Sequence, residues 1–375
     1  MASSLPIVLR ASGFKMNAPL DLIRPPEPSA AFEFNLLNAF QRDFPLISRP
    51  FAHLASQLAT DEASVLACLR NLQQRGTISR VGAVFRPNSV GASALAALAV
   101  PAERLAEVAA YVSAQAEINH NYEREHHYNL WFVATAATLE HLHAVLHEIE
   151  LACDCGAVLV LPMLEDFHID LGFDLSAAGP HYREQTAPIV PEARTCSDGI
   201  AQLDSAEKSL LVALQNGLAL VPQPFAQLGV DENDAIATIT RWSEQGVIKR
   251  FGVIVRHHEL GFNANAMVVW DVPDAVVSAV GRCIAASGRV TLCYRRPRLL
   301  PHWPYNLFCM IHGKDRSDVE ARITALAEAC GLDQYVHTTL FSQRRFKQRG
   351  AHYMNLAAAG VSTAHLAKLT KTNHG

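Results

Sequence analysis

The segment Gly76-Thr-Ile78-Ser-Arg80-Val-Gly82-Ala-Val-Phe-Arg86 returns later in the chain as Gly246-Val-Ile248-Lys-Arg250-Phe-Gly252-Val-Ile-Val-Arg256, with five residues identical in register. The surroundings recur in the same order. Phe51-Ala52-His-Leu54 upstream is matched by Phe225-Ala226-Gln-Leu228, and Tyr128-Asn129-Leu130-Trp131 downstream by Tyr305-Asn306-Leu307-Phe308. Similar segments recurring in the same order mark a duplicated structural unit. Residues 172–202, with Pro180, Pro188, Pro191 and Gly199, read as the linker between the copies.

Each copy divides in two. In the first, helical patterns cover 34–41, 51–58 and 61–74, the third with Thr60 or Asp61 as N-cap and Gly76 as its stop. A two-stranded segment at 78–86 would complete a winged helix-turn-helix. Then come a strand (93–100), a helix opened by Pro101, strands at 118–125 and 128–135, a helix at 139–152 and a strand at 157–164. That βαββαβ order is ferredoxin-like. The second copy repeats it at 264–272, 274–286, 289–296, 305–312, 317–330 and 336–341. The expected fold is α+β, a tandem repeat of winged helix-turn-helix plus ferredoxin-like domain. Its parts are an arm (1–32), winged helix (33–90), ferredoxin-like domain (91–171), linker (172–202), winged helix (203–260), ferredoxin-like domain (261–346) and tail (347–375).

Composition limits the function classes. Of 375 residues, 50% are hydrophobic and 18% charged, and net charge is -4. No stretch reaches the ~20 apolar residues of a membrane helix, and the first residues hold no apolar run of signal-peptide length. Of eight cysteines, only Cys153 and Cys155 lie close together, at a spacing that fits no common zinc or redox motif. Reduced thiols in a cytoplasmic protein are expected. His143 and His147, at i, i+4, read as a solvated helix face, Trp131 as a packing residue, and Arg80, Arg86, Arg250 and Arg256 as structural.

A winged helix followed by a ferredoxin-like domain resembles the Lrp/AsnC regulators, which implies DNA binding. The charges oppose it. A recognition helix needs Lys or Arg to meet phosphates and base edges. Residues 61–75 carry Asp61 and Glu62 against Arg70 and Arg75, and residues 231–245 carry Asp231, Glu232, Asp234 and Glu244 against Arg241 alone. No nucleic-acid partner is expected.

The densest polar stretch is Asn119-His120-Asn121-Tyr122-Glu123-Arg124-Glu125-His126-His127-Tyr128-Asn129-Leu130-Trp131-Phe132. Side chains alternate along a strand, so His120, Tyr122 and Arg124 share one face, and His126 continues that parity into the turn. Imidazole, phenol and guanidinium make a poor apolar core and suit an anionic ligand. In the second copy Leu292 stands for His120, while Tyr294 and Arg296 match Tyr122 and Arg124. The following turn is longer and adds Arg298 and His302 to Arg295.

His120 to Phe132 resembles one subunit of the siroheme decarboxylases, and Tyr294 to Asn306 resembles the partner subunit, so the chain looks like a fused form of both. The resemblance covers residues 33–346 and implies removal of carbon dioxide from two acetates of siroheme, giving 12,18-didecarboxysiroheme, in synthesis of haem d1 or by the alternative haem route. It implies His120, His126 and His127 as catalytic acids, and Tyr122, Arg124, Asn129, Tyr294, Arg295, Arg296, Arg298 and His302 as substrate-binding residues. Arginine forks fit the carboxylates of the macrocycle, and histidine titrates near working pH. Ligation of the siroheme iron by His120 or His126 is the other role open to them. No cofactor beyond that iron and no protein-bound metal is expected. The partners implied are siroheme, the other repeat of the same chain, a second copy in a homodimer and neighbouring tetrapyrrole enzymes, with no membrane. The competing functions are a regulator or haem sensor and a tetrapyrrole carrier.

Overall fold

A computed structural model describes residues 30–169, 202–256 and 264–354. The prolines of the expected linker lie outside the described residues. Helices α1 (Ala30–Ala39), α2 (Pro50–Gln57) and α3 (Glu62–Gln74) open the first copy. Asp61 caps α3 by accepting the Ser64 N–H at 2.8 Å, and Gly76, at φ +78°, lets the chain leave it. Strand β1 (Ile78–Phe85) follows. The first ferredoxin-like unit comprises β2 (Ala92–Leu98), α4 (Leu105–Ala114), β3 (Ile118–Arg124), β4 (Leu130–Ala136), α5 (Leu139–Cys153) and β5 (Leu159–Pro162), with β6 (Glu165–Ile169) just beyond. The second copy supplies α6 (Ser205–Gln215), α7 (Glu232–Glu244), β7 (Ile248–Val255), β8 (Ala264–Trp270), α8 (Val277–Ala286), β9 (Leu292–Arg295), β10 (Leu307–Gly313), α9 (Arg316–Cys330) and β11 (His337–Gln348). Where the first copy has α2, the second has a single 3-10 turn at Phe225–Gln227.

The structure departs from the sequence reading where the two copies meet. Residues 78–86 do not fold into a ribbon of their own. They give one strand, β1, which pairs antiparallel with β7 of the other copy, Gly82 opposite Gly252. The recurring glycine serves close approach rather than a turn: a Cβ on Gly252 would lie 2.5 Å from the Gln41 carbonyl oxygen. Both winged helices consequently share one core, in which Phe51 and Leu69 join Phe225 and Trp242.

The nine remaining strands form one sheet in the order β5-β2-β4-β3-β11-β8-β10-β9-β6. Each copy keeps its ferredoxin-like order within it, and each last strand crosses to its neighbour. The expected strand at 157–164 is two: β5 pairs with β2, and β6 pairs with β9 of the second copy. The expected strand at 336–341 continues to Gln348, first along β8 and then along β3 of the first copy. Residues 347–354 are therefore part of the fold rather than a tail. Since only Met163 and Leu164 separate β5 from β6, which sit at opposite ends of the strand order, the sheet curls back on itself.

Alternation divides the side chains. Outward, Ile118, Leu130 and Phe132 meet α4 and α5, while Ala266, Val268 and Ile311 meet α8 and α9. Inward, Trp131, Trp303, Phe308 and Leu340 pack together, with Trp303 fully buried 5.2 Å from the Trp131 ring centre and 5.1 Å from that of Tyr305. Trp131 thus packs as the sequence suggests. We expect Trp303→Ala to cost about 3–5 kcal/mol through the void it leaves, read from the urea unfolding midpoint. A midpoint equal to wild type would show that the inner core does not depend on this ring.

Candidate functional site

The inward positions nearest the β1–β7 ribbon carry polar side chains in place of the apolar core. Strand β3 contributes His120, Tyr122 and Arg124; β9 and the residue after it contribute Leu292, Tyr294 and Arg296; β10 contributes Phe308, Met310 and His312. Arg80 on β1 and Arg349 just past β11 complete the wall. They enclose a cavity of about 380 Å³ at the junction of the two copies.

Two arginines stand at matching places on either side. Arg124 is buried, donates from Nη1 to the Leu340 carbonyl at 3.1 Å, and lies over the Tyr122 ring at 5.6 Å. Arg296 donates from Nη1 to the Leu161 carbonyl at 2.5 Å and lies over the Tyr294 ring at 5.2 Å. Neither Nε has a partner, and neither guanidinium meets a carboxylate among the described residues. Burial pulls both down to about 10, so both are cationic at neutral pH. Burial also raises the phenols of Tyr122 and Tyr294, so these stay protonated. A cavity with uncompensated guanidinium groups favours a polyanion.

His120 has no counterpart across the cavity, where Leu292 stands. Burial, then the charge of Arg80, pull its imidazole down to about 4. It is neutral at pH 7 in the ligand-free protein, and an arriving carboxylate would raise its affinity for a proton.

The other residues expected to be catalytic or substrate-binding do not line this cavity. His126 sits in the β3–β4 turn, 5.6 Å from Trp303, with Nδ1 accepting the Tyr128 N–H at 3.0 Å. Burial, then the neighbouring His127, lower its pKa. His127 is exposed. The alternation that groups His126 with His120 ends with β3 at Arg124. Asn129 is a clamp: its amide donates to the Val100 carbonyl at 2.9 Å and accepts the Val100 N–H at 2.9 Å. Asn306 grips Val272 in the same way, at 2.9 and 3.0 Å, so the repeated Tyr-Asn pair is structural. Arg295 and Arg298 are spent on Asp274 at 3.0 and 2.9 Å, and Arg298 also on Asp271 at 2.7 Å. His302 is exposed at the tip of that longer turn.

Several cavity residues are missing from the sequence expectation. Arg80 and Arg256, expected to be structural, both line the cavity because the two wings pair with each other rather than folding separately. Arg349 lay in a presumed tail, although Arg345, Lys347 and Arg349 alternate like strand residues. His312 shares the parity of Phe308 on β10, which was a usable signal. Among the described residues no group of three potential ligands could hold a metal ion.

A family model described as the AsnC-like ligand binding domain matches residues 89–168 and 259–347, and one described as the siroheme decarboxylase NirDL-like HTH domain matches 33–78 and 207–249. The siroheme decarboxylase NirDL subunit of Paracoccus denitrificans is 46% identical over 336 residues, spanning 87% of this chain and 98% of that one. The chain belongs to the siroheme decarboxylase family. It is a member of the two-in-one kind, and an enzyme. A crystal structure of the siroheme decarboxylase NirDL matches 91% of the chain and all of its own length at TM-score 0.61 and 26% identity. Another, of that decarboxylase in co-complex with an iron-uroporphyrin III analogue, matches 90% of this chain and 99% of its own at TM-score 0.60 and 26% identity. No helix among the described residues is long and apolar enough to cross a membrane.

Two outcomes follow from the geometry. Asn129→Ala should lower stability by about 1–3 kcal/mol, by stranding the Val100 backbone groups, and leave ligand affinity unchanged. A calorimetric titration showing lost affinity at intact stability would return Asn129 to the binding site. His120 and His352 both fall from 6.5 to about 4 on folding, each first through burial. Between those values the unfolded chain binds more protons, so stability should fall on acidification through about pH 6.5 to 4. His120→Leu should flatten that fall in urea midpoints taken along the pH series; an unaltered slope would contradict the buried, neutral imidazole.

Proposed function

We propose that this chain removes carbon dioxide from two acetate side chains of siroheme, giving 12,18-didecarboxysiroheme on the route to haem d1, and is thus a carboxy-lyase. The observation that carries the reading is the cavity between the copies, where Arg124 and Arg296 lack carboxylate partners and His120 stands beside them. Siroheme is a flat polycarboxylate, and paired guanidinium groups on facing walls suit its rim. Ligands favour such clefts between domains. The tetrapyrrole analogue held by the solved relative supports the same occupant.

In the proposed step the bond between the acetate methylene and its carboxylate carbon breaks. Carbon dioxide leaves, and the electron pair stays on the methylene carbon, delocalised into the macrocycle. A proton then converts that carbon to a methyl group. We assign the donor role to His120, one of two imidazoles in the cavity with His312 and the one on the strand that carries Arg124. Neutral in the empty site, it gains a proton as substrate carboxylates lower the local potential. Arg124 and Arg296 hold carboxylates that do not react and set which acetate reaches His120. The buried free thiols Cys68, Cys153, Cys293 and Cys309 fit a reducing cytoplasm. The regulator reading gains no support from α7, where Asp234 and two glutamates face Arg241 alone.

The test is anaerobic incubation with siroheme, followed by mass spectrometry of the tetrapyrrole. Wild type should lose two carbon dioxide masses. His120→Ala should lose neither, and His126→Ala, outside the cavity, should still lose both. Arg124→Gln and Arg296→Gln should each raise KM by about tenfold or more. Binding of siroheme by wild type with no change in mass would overturn the enzyme assignment of this cavity.

A further inference from the structure

The winged-helix half takes no part in the step above, yet it turns a half-buried charge toward the same cavity. Arg80 leaves β1 on the cavity side, with its Nη2 donating to the Ala83 carbonyl at 3.0 Å. Its Nε finds no partner, and no carboxylate pairs with it among the described residues. Other arginines of this chain are treated differently. Arg86, at the end of the same strand, pairs with Asp166 at 3.1 Å, and Arg75 with Glu33 at 2.8 Å. Burial pulls Arg80 down to about 10, which leaves it charged. A guanidinium held half-buried, with its Nε buried and unpartnered and without a counter-charge, is costly.

The fold nevertheless holds this side chain in place with two glycines. A Cβ on Gly217 would lie 2.8 Å from the Cβ of Arg80 and 2.9 Å from its Cδ, and one on Gly350 would lie 2.5 Å from Nη1 and 2.6 Å from Cζ. Gly217 comes from the second winged helix. Gly350 lies on the strap of residues 349–354, which crosses from the sheet to the winged-helix core. The strap is fastened at three points: Asn119 accepts the Arg349 N–H at its carbonyl (2.9 Å) and the His352 N–H at its amide oxygen (3.2 Å), and Gln215 accepts the Tyr353 N–H at 2.6 Å. Tyr353 then packs edge-on against Phe85 of β1. Glycine at both places leaves room for the aliphatic stem and the fork in one position.

We propose that Arg80, seated between Gly217 and Gly350, is a substrate-binding residue that takes one carboxylate of the tetrapyrrole through its guanidinium fork. The inference rests on the siroheme reading and goes beyond it by giving the winged helix a task in the enzyme. With its DNA-reading charges gone, the module supplies a third cationic wall, distinct from the Arg124 and Arg296 pair on the sheet.

Steady-state kinetics with siroheme, and titration with iron-uroporphyrin as a non-reacting probe, would be compared for wild type, Arg80→Gln, Arg80→Lys and Gly350→Ala. Gly350→Ala keeps the charge and touches no substrate, but displaces the fork. Arg80→Gln and Gly350→Ala should each raise KM and the probe's Kd about tenfold or more, with kcat within about threefold of wild type, and Arg80→Lys should recover part of the affinity. If Arg80→Gln fails to fold, Gly350→Ala decides alone. Wild-type affinity in either folded variant overturns the proposal. Wild type that binds no iron-uroporphyrin overturns the siroheme reading with it, whereas wild type that binds and turns over beside unaffected variants overturns only the role of Arg80.

Discussion

The structure depends on the exchange of last strands between the two copies. Strand β11 bonds first to β8 of its own unit and then, from Ser342 to Gln348, to β3 of the other. Strand β6 makes the reciprocal crossing onto β9. A ferredoxin-like sheet alone buries one face under its helices and leaves the other bare. The crossings join the two bare faces, so the inward side chains of both copies share one interior. Trp131 and Trp303 pack in the apolar part of it, and inward polar positions line the cavity.

Duplication followed by divergence explains how that interior became a site. The paired features hold the shape: Asn129 and Asn306 clamp the strand ends, and Gly82 and Gly252 let Gly217 and Gln41 approach the ribbon. The arginine–tyrosine pairs at 122–124 and 294–296 are also kept on both sides, as befits a ligand with carboxylates around its whole rim. What differs is the position of His120, where Leu292 stands on the other side. A duplicated scaffold thereby gains a near-symmetric binding surface whose two walls differ at the position proposed for the proton donor. The β1–β7 ribbon of the winged helices closes the cavity from above.

Much of this was legible in the residues. The recurring Gly76–Arg86 segment revealed the duplication, and strand alternation placed His120, Tyr122, Arg124, Tyr294 and Arg296 on inward faces. Alternation failed beyond Arg124, where the strand ends and the turn carries His126 and His127 elsewhere. Composition alone could not show that Arg295 and Arg298 are consumed by Asp271 and Asp274, because those acids lie some two dozen residues upstream. Nor could local patterns show the strand exchange. A strand's partner is chosen by long-range pairing, and the same Ile-x-Arg-x-Gly run suits a ribbon within one copy as well as one between two. Missing the exchange hid Arg80 and Arg349, whose positions make sense only once both crossings are drawn.

The most direct measurement is a crystal structure of this chain with iron-uroporphyrin bound. The account requires the macrocycle in the cavity between β3 and β9, beneath the β1–β7 ribbon, with carboxylates on Arg124 and Arg296 and with His120 facing a side chain of the ring. A macrocycle seated instead at the outer turns, against His126, His127 and His302, would contradict it.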